Sequence, residues 1–273
     1  MSRHPFDLLM ELETDFIRLD CAALHLARDF YPELSMPAYL ERLDVLAARV
    51  GAQRPGLSAP LRYEALRRVL VRECGLRGNK RAYFAPENSF LNCVLETGRG
   101  IPISLSIIWV EVGRRLNWPV AGVALPGHFL VRIDDHERFV LADPFHGGRS
   151  LSVDDCQQIV SDSFQGRVPF SPEFLRPAHK RGVLLRLLRN LRNIYMSRND
   201  WPHVAEILRR MAAVEPGNGR HLQDLAAVCW RRGDVRGACA HLELYLHRVP
   251  DAHDSKLVER NLRQMHAALL ALN

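Results

Sequence analysis

Apolar residues recur at three- and four-residue spacing from the start of the chain. Leu8, Leu12, Phe16, Leu19 and Ala23 fall on one stripe, which predicts an amphipathic helix. The stretch "YPELSMPAYL" interrupts it. Pro32 and Pro37 flank a turn, and Ser35 is placed to cap a second helix with Pro37 in its first turn and Tyr39, Leu43, Leu46 and Val50 on its apolar face. Beyond the loop "GAQRPGLSAP", Leu61, Ala65, Leu66, Val69 and Leu70 predict a third helix. Residues 1–76 therefore read as a helical N-terminal region.

The pattern changes over 77–176. Pro86 opens a short helix carrying Phe90, Leu91, Val94 and Leu95, closed by Gly98 and Gly100. Pro102 stands in the first turn of the next helix, which runs to about Leu116. Then "VAGVAL", "HFLVRI" and "RFVLAD" read as three strands of an antiparallel meander, separated by Pro-Gly and Asp-Asp-His turns. Ser152 can cap a further helix from about Val153 to Ser161.

Residues 177–273 are helical and repeat themselves. Asp200 meets Asp234 at an offset of 34, and at the same offset Leu191 meets Leu225, Ala205 meets Cys239, Leu208 meets Leu242 and Pro216 meets Pro250. That period, with small residues at helix crossings and a closing proline, marks tetratricopeptide repeats. Two units are visible, so they need a further packing partner, which "SKLVERNLRQMHAALLAL" can supply.

Composition changes this picture little. Hydrophobic residues make up 47% and charged residues 25% of the chain, enough for a sizeable core. Apolar runs are too short to span a bilayer, and the N-terminus lacks the order of a secretory signal, so no membrane association is expected. The six cysteines form no C-x-x-C pair and sit in apolar helical patterns, which suits buried thiols in a reducing cytoplasmic setting. The formal charge of +6 raises nucleic acid as a partner, and one continuous basic face including Arg186, Arg189 and Arg192 would carry it. The arginines instead occupy scattered polar helix faces without interleaved aromatics, so a protein or peptide partner held by the repeats is expected.

The candidate chemistry lies in "GIPISLSIIWVEVGRRLNWPVAGVALPGHFLVRIDDHERFVLADPFHGG", residues 100–148. His128 precedes one strand, and Asp143 ends the next, fifteen positions on. On adjacent antiparallel strands the two reach one end of the sheet, where a carboxylate fixes the imidazole tautomer. A helix N-terminus facing that imidazole would favour a thiolate there. His128, Asp143 and His146, with His136, are the alternative reading as metal ligands, but no H-x-x-x-H or H-E-x-x-H helix supports it. No phosphate-binding loop follows a strand, and neither metal nor cofactor is expected.

Residues from about 80 to 149 resemble the transglutaminase-like superfamily, and "GN", "NSFLN", "GIPISLS", "RRL" and "PGHFLVR" resemble its SirB-type branch. The resemblance implies an α+β fold: a helical N-terminal region, a papain-like core with a small antiparallel sheet, and C-terminal tetratricopeptide repeats. It also implies a Cys-His-Asp site, in which His128 and Asp143 match the last two members. Where the cysteine belongs, this chain has Pro102, which has no reactive group; a shift of two residues offers Ser104. Two readings follow. One is a regulatory or protein-binding module with a degenerate site, in which Asn88, Asn92 and Pro102 line the crevice. The other is an acyl-transfer or amide-hydrolysing enzyme using Ser104, His128 and Asp143. Cys93 is the other candidate nucleophile, but its apolar neighbours mark a structural thiol. The second reading requires the Ser104 hydroxyl within hydrogen-bond reach of His128.

Overall fold

A computed structural model of the chain describes residues 4–54, 56–135 and 137–271, the side chains of 268, 270 and 271 excepted. The fold is mostly helical with two small sheets. It divides into two compact units, Glu11–Leu187 and Leu188–Asn273 with Met1–Met10. The division falls inside one helix and coincides with neither boundary expected from the sequence, at 76 or at 176.

The first predicted helix is broken in three. Helix α1 (Pro5–Leu9) is followed by a 3-10 turn at Thr14–Phe16 and then by α2 (Leu19–Arg28). Leu19 and Ala23 of the stripe are buried, as are Phe6, Met10 and Ile17 outside it, whereas Leu8, Leu12 and Phe16 are exposed. The stripe read from the sequence combined residues from separate elements, so its period had no continuous helix to act on.

In the unit Glu11–Leu187, α2 and α3 (Met36–Gly51) pack against α6 (Pro102–Arg115), while α4 (Ala59–Leu66, continued in wide turns to Glu73) packs on α3 and on the sheet. Helix α6 is buried on every side from Pro102 to Gly113, which is why its sequence is apolar all round rather than striped. Its buried charge is Glu111, whose carboxylate accepts from the Leu19 amide at 3.1 Å and from Arg114 Nε at 2.7 Å. Buried Asp20 at the start of α2 accepts from Arg18 and Arg115. Burial alone would raise its pKa, but these two guanidiniums outweigh it and hold the carboxyl at about 2. The helix ends in a Schellman turn. Trp118 N–H donates to Gly113 at 2.9 Å and Asn117 N–H to Arg114 at 3.0 Å, with Asn117 left-handed at φ 55°.

The sheet follows α6 as a meander of β3 (Val120–Val123), β4 (Leu130–Asp134), β5 (Phe139–Asp143) and β6 (Arg149–Leu151), all antiparallel. Val123, Leu141 and Leu151 pack with Cys156 and Val160 of α7 (Val153–Phe164), while α6 packs against β3 and β4. Ser152 caps α7 as expected, in a capping box with Asp155. Preceding α6, β1 (Arg77–Gly78) pairs in parallel with β2 (Arg99–Gly100). The helix expected from Pro86 is a 3-10 turn, Pro86–Ser89, then an extended Phe90 and α5 (Leu91–Thr97).

The second unit holds α9 (Trp201–Val214), α10 (Arg220–Arg231), α11 (Val235–Arg248) and α12 (Ser255–Ala271), with α8 (Lys180–Ser197) crossing the division. The repeat is visible in the backbone itself. Asp200 and Asp234 cap α9 and α11 with φ, ψ of −85°, 74° and −82°, 74°. Each follows a left-handed residue, Asn199 and Gly233. The N-terminal segment packs here: Phe6 is fully buried and Arg210 donates to Asp7 at 3.0 Å. No helix of the described residues is long and apolar enough to cross a membrane.

Candidate functional site

The register of β4 and β5 brings the site together. Val131 pairs with Ala142, so Asp143 stands opposite Leu130, and His128 lies two residues before Leu130 at the same sheet end. His128 Nε2 is 3.0 Å from Asp143 Oδ2. This is ion-pair distance, yet Nε2 has no aligned hydrogen bond, so the ring sits beside the carboxylate rather than pointing its N–H along the contact. His128 is held from behind. Its N–H donates to Leu125 O at 3.0 Å, and the Arg186 guanidinium donates to Leu125 O at 3.1 Å and His128 O at 2.8 Å.

Asp143 is fully buried and saturated. Its Oδ1 accepts from the amides of Phe145 and His146, both at 3.1 Å, in the turn that Pro144 opens. Its Oδ2 is hydrogen-bonded to His146 Nδ1 at 2.7 Å and lies at ion-pair distance from His128 Nε2. Burial raises the carboxyl's pKa, but the two imidazoles and the hydrogen bonds prevail and hold it below the ordinary value.

Ser104 is not part of this cluster. Its hydroxyl donates to Asn88 O at 2.5 Å, lies 3.1 Å from Ile101 O, and accepts from Ile101 N–H at 3.1 Å. These bonds make it the reciprocal partner of the α6 N-terminus. A Cβ at Gly100 would come within 2.7 Å of the oxygen, so the backbone closes over it. The contact with His128 that the acyl-transfer reading requires is absent among the described residues; the helix start has a stronger local claim on the hydroxyl. Pro102 is buried at the first position of α6. Cys93 is buried, and burial raises its thiol pKa, the opposite of what a nucleophile needs.

Asn88 is a structural hub. Its amide donates to Ala82 O at 2.6 Å and Tyr83 O at 3.2 Å and accepts from Asn79 at 3.0 Å. With its main chain holding Ser104, it ties the 79–83 turn to the tip of α6 and has no amide group left for a ligand. Asn92 is also buried, but its Oδ1 has no partner.

His128, Asp143 and His146 offer donor atoms within 4.8 Å of one another, a set of types that Zn²⁺ accepts. His136 lies outside the described residues. Asp143 Oδ2 already has both rings within 3.0 Å, and the Arg149 guanidinium, with Nε 3.9 Å away, adds a positive charge that opposes an incoming cation. The arginines considered for nucleic acid do not form one free basic face. Arg186 is tied to Leu125 and His128, Arg189 lies 4.0 Å from Glu215, and Arg192 lies 3.8 Å from Asp224. Sequence reading missed Arg186 as the anchor of His128 and Asn79 as the partner of Asn88. "GN" was the only signal for the latter.

Comparison with known proteins agrees with this architecture. The transglutaminase-like superfamily profile matches residues 37–189, and a tetratricopeptide-repeat profile matches 191–263. A UPF0162 protein of Xylella fastidiosa (strain 9a5c) is 34% identical over 258 residues, covering 93% of this chain and 92% of that protein. The UPF0162 protein PA3419 of Pseudomonas aeruginosa is 31% identical over 180 residues, covering 66% of this chain and 65% of that protein. The F-box only protein 21 of Mus musculus is 30% identical over 106 residues, 36% of this chain and 17% of that protein. No solved structure matches. The chain belongs to the transglutaminase-like superfamily and, within it, to the UPF0162 family, with tetratricopeptide repeats following the core.

Proposed function

We propose that this protein is a non-catalytic binding module built on a transglutaminase-like core. The crevice beside His128 and Asp143 holds a peptide or side chain, while the repeats dock a protein partner. The observation that carries the reading is the fate of the nucleophile: Pro102 stands where the superfamily places its thiol, and the neighbouring Ser104 hydroxyl is bonded to the main chain at Asn88 and Ile101. An imidazole–carboxylate pair is left with no hydroxyl or thiol hydrogen-bonded to it among the described residues. A groove lined by Arg189, Trp201, Arg220 and Arg231 in the repeat unit gives the partner a polar and aromatic surface. A reducing cytoplasmic location fits the six cysteines, all of them free thiols.

The test is site-resolved labelling of the full chain with a fluorophosphonate and with a thiol alkylator, in the wild type and in His128→Ala. The module reading expects no His128-dependent modification at Ser104 or Cys93. Labelling of Ser104 that vanishes with His128→Ala would instead establish the hydrolase.

A further inference from the structure

Beside the His128–Asp143 pair lies a crevice of about 560 Å³, lined by Arg77, Asn79, Lys80, Arg81, Arg99 and His146 around Gly78, Phe145 and Gly147. No carboxylate is among its lining residues. The parallel register of β1 and β2 sets Arg77 directly opposite Arg99. Like charges placed opposite one another are unfavourable in a sheet; neither guanidinium has a carboxylate within 4.0 Å among the described residues, although both also border a second groove that holds Glu41 and Glu96. Arg99 uses one guanidinium nitrogen on Gly75 O and Gly98 O. Arg77, Lys80 and Arg81 have no carboxylate within 4.0 Å among the described residues, in a chain where most other arginines of this unit's core are paired.

The floor is stiff. Gly78 N–H donates to Phe145 O and Asn79 N–H to Gly100 O, both at 3.0 Å. A Cβ on Gly78 would stand 2.4 Å from the Phe145 ring, so only glycine fits beneath it. The Asn79–Asn88 bond fixes the turn that carries Lys80 and Arg81. The backbone that carries the four cations is thus fixed, while the side chains of Arg77, Lys80 and Arg81 are exposed and free to meet a ligand. Tyr83 stands edge-on to Phe145, and exposed Phe84 edge-on to Tyr83, which makes an apolar shoulder.

We propose that this crevice is an acidic-peptide site, in which Arg77, Lys80, Arg81 and Arg99 receive side-chain carboxylates and His146 joins the peptide to the His128–Asp143 pair. This deepens the binding-module reading and rests on it. The observations favour peptide over nucleic acid because the cations line one local, open crevice of about 560 Å³, the size of a peptide-ligand site. Tracking a phosphate backbone needs an extended basic stripe, and Arg186, Arg189 and Arg192 are engaged elsewhere.

The test is fluorescence polarisation on the full chain with a dye-labelled hexaglutamate peptide, a hexaglutamine peptide and a six-nucleotide single-stranded oligonucleotide. Each is measured on the wild type, on Arg77→Glu/Lys80→Glu/Arg81→Glu, on His128→Ala, and on Arg189→Glu/Arg220→Glu as a control for the repeat groove. Thermal melting confirms that the exposed charge reversals leave the fold intact. We expect the acidic peptide to bind in preference to the other two, to weaken with salt, and to lose about tenfold or more in affinity only in the crevice variant. Equal binding to the crevice variant, loss confined to the repeat variant, no binding at all, or an oligonucleotide bound more tightly at the crevice would each overturn the proposal. Hexaglutamine bound as well as hexaglutamate, and lost in His128→Ala, would overturn the acidic preference while leaving the binding-module reading in place.

Discussion

The Ser104 hydroxyl donates to the main-chain carbonyl of Asn88 at 2.5 Å, across sixteen residues of sequence. That bond joins the tip of the central helix to the turn carrying Asn79 and Tyr83, and it converts a candidate nucleophile into scaffold. Ser104→Ala is expected to lower stability by about 1–3 kcal/mol, the cost of leaving buried partners unmet. The check is a urea midpoint at constant slope. A nucleophile held under strain would behave in the opposite way, its removal leaving stability unchanged or raised.

Arg186 anchors His128 through the carbonyls of Leu125 and His128 and lies 5.5 Å from the Phe129 ring centroid. Burial depresses the pKa of its guanidinium. Arg186→Met keeps the apolar stem and removes both bonds. The expected outcome is a loss of about 2–3 kcal/mol, since hydrogen bonds from charged groups are the stronger kind. Shifted ring-proton NMR signals of His128 should accompany it. A stability loss with unchanged His128 signals would confine Arg186 to packing.

The Asp143 carboxyl titrates below its ordinary value in the folded chain, with His128, His146 and Arg149 around it. Its folded pKa is the lower of the two states, so its contribution is complete above the unfolded value, about 3.9. That contribution disappears as pH falls through the folded value. Urea midpoints measured downward from pH 6 should therefore fall more steeply in the wild type than in Asp143→Asn. Identical slopes would show that the imidazoles do not hold the carboxylate.

The two repeat caps provide an internal comparison. Asp234 accepts from Gly237 N–H at 2.8 Å, whereas Asp200 accepts from His203 N–H at 3.4 Å and is also engaged by His203 Nδ1 at 2.7 Å. Asp234→Ala should cost about 1 kcal/mol by losing a well-formed cap. Asp200→Ala should cost a similar amount, through loss of the longer cap bond together with the His203 contact. Thermal melts of the two variants check both.

The repeats were legible because two identical punctuation signals, Asp200 and Asp234, recur at one period and impose the same backbone angles. Helix α6 was legible from Pro102 and the first three strands of the meander from their runs of Val, Leu and Phe. Strand β6 was not, because Arg149 and Ser150 are exposed and Leu151 alone is buried, leaving no alternation to read. The pairing of β1 with β2 was also hidden, since two residues each carry no period and the order comes from long-range hydrogen bonds. At the site, the convergence of His128 and Asp143 followed from strand spacing. The partners of Ser104 and Asn88 did not, because a hydroxyl's or amide's choice among backbone carbonyls depends on distances that only the fold sets.

We propose that the His128–Asp143 pair is the imidazole–carboxylate half of a Cys-His-Asp site whose thiol position is taken by Pro102 at the start of α6. The most direct measurement is the pH dependence of alkylation at residue 102 in Pro102→Cys, followed by peptide-resolved mass spectrometry with and without His128→Ala. The account predicts a thiol titrating well below the ordinary value of about 8.5, returning toward it when His128 is removed. A thiol at position 102 that titrates at the ordinary value, and ignores His128→Ala, would contradict it.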